Sequence, residues 1–243
     1  MNDWALAAGV DKNAEHLEHW ANMGFQVIEV GTLTRSPRPG NPQPHLRFVG
    51  PDTLHNRVGG ANRGLLPALQ NVVKFKDSYP EIQVGVNIGA ERLEDWLWLV
   101  ERIHEQHCAD YITLNVSSPN IEGLAQWQQL PRLLELISNV RGRTTLPLLI
   151  KLSPSLCDDD LLSIAHLALA WQCGLILFNT AAGESGAPRR ARTRSAVRLL
   201  RRWSPFLHLV ASGGVLSATD AQNLLDDGAN RVQVCSAIYL SKL

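Results

Sequence analysis

No stretch of about 20 apolar residues occurs in this sequence, and nothing in it reads as a signal peptide, so no segment is built to span or cross a membrane. Charge of neither sign prevails. Lys+Arg and Asp+Glu both number 23, which leaves no global field for nucleic acid or an anionic surface. Cysteine is sparse. The four (Cys108, Cys157, Cys173, Cys235) stand far apart with no CxxC pair. They read as reduced core thiols of a cytosolic protein rather than a disulfide frame or a thiolate metal site. The eight histidines form no HExxH or similar ligand spacing. His16 and His19, three apart on an expected helix, read as a solvated surface pair.

What is present is enough apolar material for one core: 243 residues, of which 45% are hydrophobic. Eight apolar, strand-length segments recur: 4–10, 26–30, 83–88, 111–116, 146–152, 175–178, 208–211 and 231–235. Most run apolar without alternation, as strands buried on both faces of a parallel sheet do. Amphipathic stretches lie between them, at roughly 12–22, 64–78, 92–106, 127–140, 158–172, 193–203 and 218–227. Asp158 to Asp160, and Ser217 with Asp220, read as helix starts, and Gly228 as a helix stop. Eight strands with interleaved helices predict an α/β fold, a single-domain (β/α)8 TIM barrel spanning residues 1–243. A doubly wound open sheet is the runner-up, but no glycine-rich turn follows Val10. Between Thr34 and Asn62 a long Pro- and Gly-rich interruption reads as a functional loop. Beyond the eighth strand Ala237 to Leu243 follow in this sequence; either Ile238, Tyr239 and Leu240 or a partner is expected to cover the outer face between strands eight and one.

In such a barrel the C-terminal strand ends share one mouth. They carry Gly9, Asp11 and Lys12; Gly31-Thr32; Asn87 and Gly89; Asn115 to Asn120; Lys151; Asn179-Thr180 with Ser185-Gly186 beyond; Ser212 to Gly214; and Cys235-Ser236. Pro119 keeps Ser118 extended, so the run Tyr111 to Val116 ends in a polar turn. Gly213-Gly214 after strand seven, together with Cys235-Ser236 after strand eight, match a barrel phosphate site. Asn56, Asn115, Asn120 and Asn179 would suit a planar ligand of alternating carbonyls and N–H groups, as in a flavin or a pyrimidine.

These stretches resemble a known family. Ala7 to Asn13, Val30 to Thr34 with Pro39 to Pro44, His55 to Gly59, Val84 to Gly89, Asn115 to Asn120, Ile150 to Pro154, Asn179-Thr180 with Ser185-Gly186, and Ser212 to Val215 with Val232 to Val234 are similar, in order, to the dihydroorotate dehydrogenases. Within these the likeness is to the quinone-using class 2 branch, with the chain shortened at both ends: that branch's N-terminal extension and closing helix are not among these residues. The resemblance implies FMN as cofactor and oxidation of (S)-dihydroorotate to orotate in UMP synthesis, with electrons passed to a quinone. It implies Ser118 as the catalytic base, where the other branch uses cysteine. It implies Lys12, Asn56, Asn115, Asn120, Asn179 and Thr180 as substrate ligands. Ala8, Gly9, Thr32, Asn87, Asn115, Lys151, Gly186, Gly213, Gly214, Cys235 and Ser236 would hold FMN. A cytoplasmic protein in peripheral contact with the inner face of the cell membrane follows from the same likeness.

Two other readings have sequence support. Ile121, Gly60 and Phe178 depart from the family pattern, which motivates a divergent homologue that binds FMN or a phosphate ligand without efficient turnover. Seven arginines between Arg189 and Arg202 motivate a nucleic-acid binder. Zero net charge and the lack of interleaved aromatics favour a solvated helix face instead, so no nucleic-acid partner is expected.

Overall fold

The computed structural model describes residues 4–118, 123–178, 180 and 183–242. Eight parallel strands close into a barrel: β1 (Trp4–Leu6), β2 (Val27–Leu33), β5 (Gln83–Ile88), β6 (Tyr111–Asn115), β7 (Leu148–Lys151), β8 (Cys173–Leu177), β10 (Leu209–Ala211) and β11 (Arg231–Val234). Each pairs with its sequence neighbours, and β11 pairs with β1, so the sheet has no edge. Every expected strand is found. The first is shorter than its apolar run, because the chain leaves the wall at Ala7 and turns at Gly9, where φ is +104°.

Helices cover the outside: α1 (Leu17–Asn22), α2 (Leu65–Ser78), α3 (Leu93–Gln106), α4 (Leu130–Arg141), α5 (Asp158–Ala170), α6 (Arg190–Trp203), α7 (Ala218–Asp226) and the one-turn α8 (Ser236–Tyr239). Their inner faces follow helical spacing, as in Trp96, Leu99, Val100 and Ile103 of α3. The expected starts and stop hold. The Ser217 hydroxyl accepts from the Asp220 N–H at 3.2 Å, and Gly228 follows α7 with φ of +111°. Helix α1 begins later than its pattern, because the Asp11 carboxylate takes the N–H groups of Glu15 and His16 at 2.9 and 2.8 Å and holds that stretch as a turn. Among the described residues no helix is long and apolar enough to cross a membrane.

The cysteine expectation needs correction at one position. Cys108 and Cys173 are buried, but Cys157 is exposed and caps α5, its sulfur accepting from the Asp160 N–H. A cap position lies at the solvent edge of a helix, which an apolar residue count does not reveal. The arginines of α6 are not simply solvated. Arg190 pairs with Asp220, Arg192 with Asp158, and Arg194 and Arg198 both with Asp227. Hydrogen bonds from Arg194 and Arg198 hold the Asp227 carboxyl below its usual range. These charges tie α6 to α5 and α7.

A second sheet was not anticipated. β3 (Leu46–Gly50) and β4 (Thr53–Asn56) form an antiparallel hairpin, and β9 (Glu184–Gly186) adds to β4. The Asn56 N–H donates to the Gly183 carbonyl at 2.7 Å, and the Ala187 N–H to the Asp52 carbonyl at 2.9 Å. The long interruption therefore contains this hairpin, and Asn56 and Gly186 place it at the mouth of the barrel.

Inside the barrel the side chains form layers. The lower one is apolar: Ala5, Val27, Tyr111, Leu149, Ile176 and Val210. Gly85 makes room for it, since a Cβ there would fall 2.0 Å from the Tyr111 ring. Two residues further along β2 and β6 come Glu29 and Thr113, both fully buried. The Glu29 carboxylate accepts from Asn87 Nδ2 at 2.8 Å, Gln233 Nε2 at 2.8 Å, Thr113 Oγ1 at 3.1 Å and Tyr111 Oη at 3.4 Å. Four converging donors let a carboxylate sit where no solvent reaches.

Candidate functional site

Two residues beyond Thr113 and Leu149, the next layer brings Asn115 and Lys151 to the mouth. Asn115 is fixed on both sides. Its Nδ2 donates to Thr32 Oγ1 at 2.7 Å, and its Oδ1 accepts from the Ser117 N–H at 3.2 Å and the Ser117 hydroxyl at 3.0 Å. The strand end thus anchors the turn that carries Ser118, which is buried but lines the groove. Above it, Asn62 shapes the loop 57–62. Its Oδ1 accepts from the N–H groups of Thr34 and Gly64, and its Nδ2 donates to the Gly60 carbonyl at 2.8 Å. Gly60 and Ala61 are thereby held against the groove.

The groove has two adjoining halves that share part of their lining. Ala8, Gly9, Asn56, Val58, Lys151 and Thr180 line both. Lys12, Thr32, Asn115 and Ser118 line the first half alone. Gly186, Gly213, Gly214, Cys235 and Ser236 line the second. Most of the expected site residues are therefore brought together. Asn87 lies one layer down, fully buried and bonded to Glu29, with its Oδ1 lacking a partner among the described residues. Asn120 and Asn179, like Ile121, lie outside the described residues.

The electrostatics of the groove are unusual. Lys151 is only 3% exposed, and neither it nor Lys12 has a hydrogen-bond or ion-pair partner among the described residues. Burial pushes the Lys12 ammonium below its ordinary value, with Cys235 acting in the opposite sense. Burial raises the Cys235 thiol, and both lysines pull it back. An unpaired buried ammonium is costly, and a bound anion would offset that cost. In the second half Gly214 has φ of +84°, and a Cβ there would lie 2.5 Å from the Arg190 backbone nitrogen. Only glycine lets the α6 N-terminus approach so closely. The result is a glycine-lined end of the groove between β10 and the starts of α6 and α8, with room for a phosphate beside the backbone.

Sequence reasoning missed Leu46, Val58, Arg189 and Tyr239, all of which line the second half. Leu46 comes with the small sheet, whose turn Gly50-Pro51-Asp52 was a readable signal. Tyr239 was expected on the outer face. Instead its hydroxyl donates to the Gly9 carbonyl at 3.0 Å, tying α8 to the end of β1. Ile238 does pack against the core. Among the described residues no cluster of His, Cys, Asp or Glu could hold a metal ion.

Fold and groove define a class: a (β/α)8 barrel with a ligand groove at the C-terminal ends of its strands. Comparison with known proteins narrows it. The family model described as dihydroorotate dehydrogenase matches residues 1–186, and the chain belongs to that family. A dihydroorotate dehydrogenase (quinone) of a Nocardioides species is 36% identical over 277 residues, covering 97% of this chain and 78% of the relative. One from Thermus thermophilus is 37% identical over 256 residues, covering 96% and 73%. The crystal structure of ligand-free dihydroorotate dehydrogenase from Eimeria tenella superposes with a TM-score of 0.90 at 28% identity, covering 97% of this chain and 79% of that one. The same enzyme in complex with ferulenol gives 0.89 at 29%, covering 98% and 76%.

Proposed function

We propose that this chain is a quinone-type dihydroorotate dehydrogenase: it oxidises (S)-dihydroorotate to orotate in pyrimidine synthesis, with FMN as its cofactor. Residues 1–243 are read as one FMN-binding barrel domain. The observation that carries the reading is Lys151, a buried ammonium without a partner among the described residues, facing a groove that ends in a glycine cradle.

The donor set fits FMN. Gly213, Gly214 and Ser236 would hold its phosphate, and Lys151 would set positive charge beside its ring. FMN bound there would supply the redox chemistry, a two-electron acceptor for the hydride from C6 of dihydroorotate and a donor toward quinone. The chain's own residues do the rest. Lys12, Asn56, Asn115 and Thr180, with Asn120 and Asn179, hold the substrate; Ala8, Gly9, Thr32, Gly186 and Cys235 complete the cofactor side, above the buried Asn87. Ser118 takes the proton from C5. A serine hydroxyl is a weak base at neutral pH, so its position and surroundings must activate it. Asn115 supplies that positioning by fixing the turn through Ser117. Leu46, Asn56 and Gly186 of the small sheet form part of the groove's wall. We assign a quinone as electron acceptor and a cytoplasmic location with peripheral contact at the inner face of the cell membrane.

The test is the absorption spectrum of the purified protein before and after dihydroorotate is added without air. A flavin spectrum that bleaches is expected. Colourless protein that FMN cannot reconstitute would overturn the reading.

A further inference from the structure

We propose that Arg189 is a binding residue for the phosphate of the flavin nucleotide, adding a side-chain cation to the glycine-lined end of the groove. The proposal rests on the reading of the groove as an FMN site and goes beyond the residues assigned to it above.

Arg189 ends the short 3-10 turn Ala187–Arg189, just before α6. Its carbonyl accepts from the Thr193 hydroxyl at 2.9 Å, which fixes its backbone. Its side chain lines the second half of the groove together with Ser185, Gly213, Gly214 and Ser236. Contact with the cradle is close: a Cβ on Gly213 would lie 3.3 Å from the Arg189 Cβ. The Arg189 Nε is buried and has no hydrogen-bond partner among the described residues. Its nearest carboxylate is Glu184, at 3.6 Å from Nη2 and itself 44% exposed.

The neighbouring arginines differ. Arg190, Arg192, Arg194 and Arg198 hold aspartates at 2.6–2.7 Å, so their charges are committed to packing helices together. The Arg189 guanidinium keeps donors in reserve, at the end of the groove where a phosphate dianion would sit. Its planar fork matches phosphate oxygens, and partial burial strengthens the pairing. Lys12 lines only the other half of the groove and is not placed to substitute.

The experiment titrates flavin-stripped protein with FMN and with riboflavin, which lacks the phosphate, and follows flavin fluorescence. Arg189→Gln should weaken FMN by about 10- to 100-fold, the usual range for a charge-assisted phosphate contact, and leave riboflavin within about 2-fold. Arg189→Lys should recover part of the loss. Glu184→Gln should tighten FMN by about 2-fold or more, because it removes a competing carboxylate beside the phosphate. A merely structural Arg189–Glu184 pair predicts instead that both variants weaken both flavins alike. That pattern, or FMN affinity unchanged in Arg189→Gln, would overturn the proposal. Wild-type protein that binds neither flavin would sink the FMN reading itself, and the role of Arg189 with it. Riboflavin bound with FMN no tighter would leave the flavin site standing and remove its phosphate subsite, Arg189 included.

Discussion

The groove has two walls of different kinds. The barrel wall is closed, buried and without an edge, and its mouth residues stand on a polar layer in which Glu29 satisfies four donors. The opposite wall is a three-stranded sheet that leaves Phe48 and Val49 65% and 59% exposed. Both contribute contacts to the same ligand space: Lys151, Asn115 and Gly214 from the barrel, Leu46, Asn56 and Gly186 from the small sheet. The contrast teaches a division of labour. Groups that must be held in one place stand on the rigid wall, and groups that need only close over a ligand stand on the wall with less burial behind it.

Substitutions on each wall should therefore fail differently. The largest effect is expected at Ser118, carried by the barrel side. Ser118→Ala should slow flavin reduction by about 100- to 10,000-fold while stability stays within about 0.5 kcal/mol. Rapid mixing with dihydroorotate reads the first and thermal unfolding the second; equal reduction rates in the two proteins would remove Ser118 as base. Next comes Glu29→Ala, below the site. Stranding several buried donors should cost about 3 kcal/mol in denaturant unfolding. A loss under about 1 kcal/mol would mean the polar layer does not support the wall. On the small sheet, Asn56→Ala should raise KM by about 10-fold with kcat within about 2-fold, at a stability cost of about 1 kcal/mol for the lost Val58 N–H contact, as for a contact made equally in ground and transition states. If kcat fell by the same factor, the small sheet would belong with the catalytic wall and the division would collapse. Smallest of all, Phe48→Ser at the exposed face should change stability by less than about 0.5 kcal/mol and leave KM alone. A clear destabilisation there would show that the hairpin is a structural part of the barrel.

The same contrast governs what could be read from the sequence. Strand β5 was legible to the residue, at Gln83–Ile88, because Val84, Val86 and Ile88 are β-favouring core residues in a short run. The small sheet was not. Leu46–Gly50 is mostly exposed and short, so its composition carries little pressure to declare itself. Glu29 was invisible for another reason. Within the strand Val27–Leu33 it reads as an outlier, and only the closed barrel brings Asn87, Thr113 and Gln233 round to meet it. The strand-end residues of the site were legible because barrel topology places them without any knowledge of side chains. Arg189 was lost among six other arginines, since sequence shows a charge run but not which member lacks a strong acid partner.

The pairing of β4 with β9 joins segments about 130 residues apart, as the Ser185 hydroxyl to Leu54 carbonyl contact spans 131 positions. Its closure carries a chain-entropy cost that three short strands repay poorly. A ligand lodged between the two walls touches both, so its binding is thermodynamically linked to that closure. Whatever binds only when β9 lies against β4 favours the pairing by RT ln(1 + [L]/Kd), about 2.7 kcal/mol at a hundredfold excess over Kd. In this sense the molecule that fills the groove is a fastener of the small sheet: its binding and the β4–β9 pairing strengthen each other.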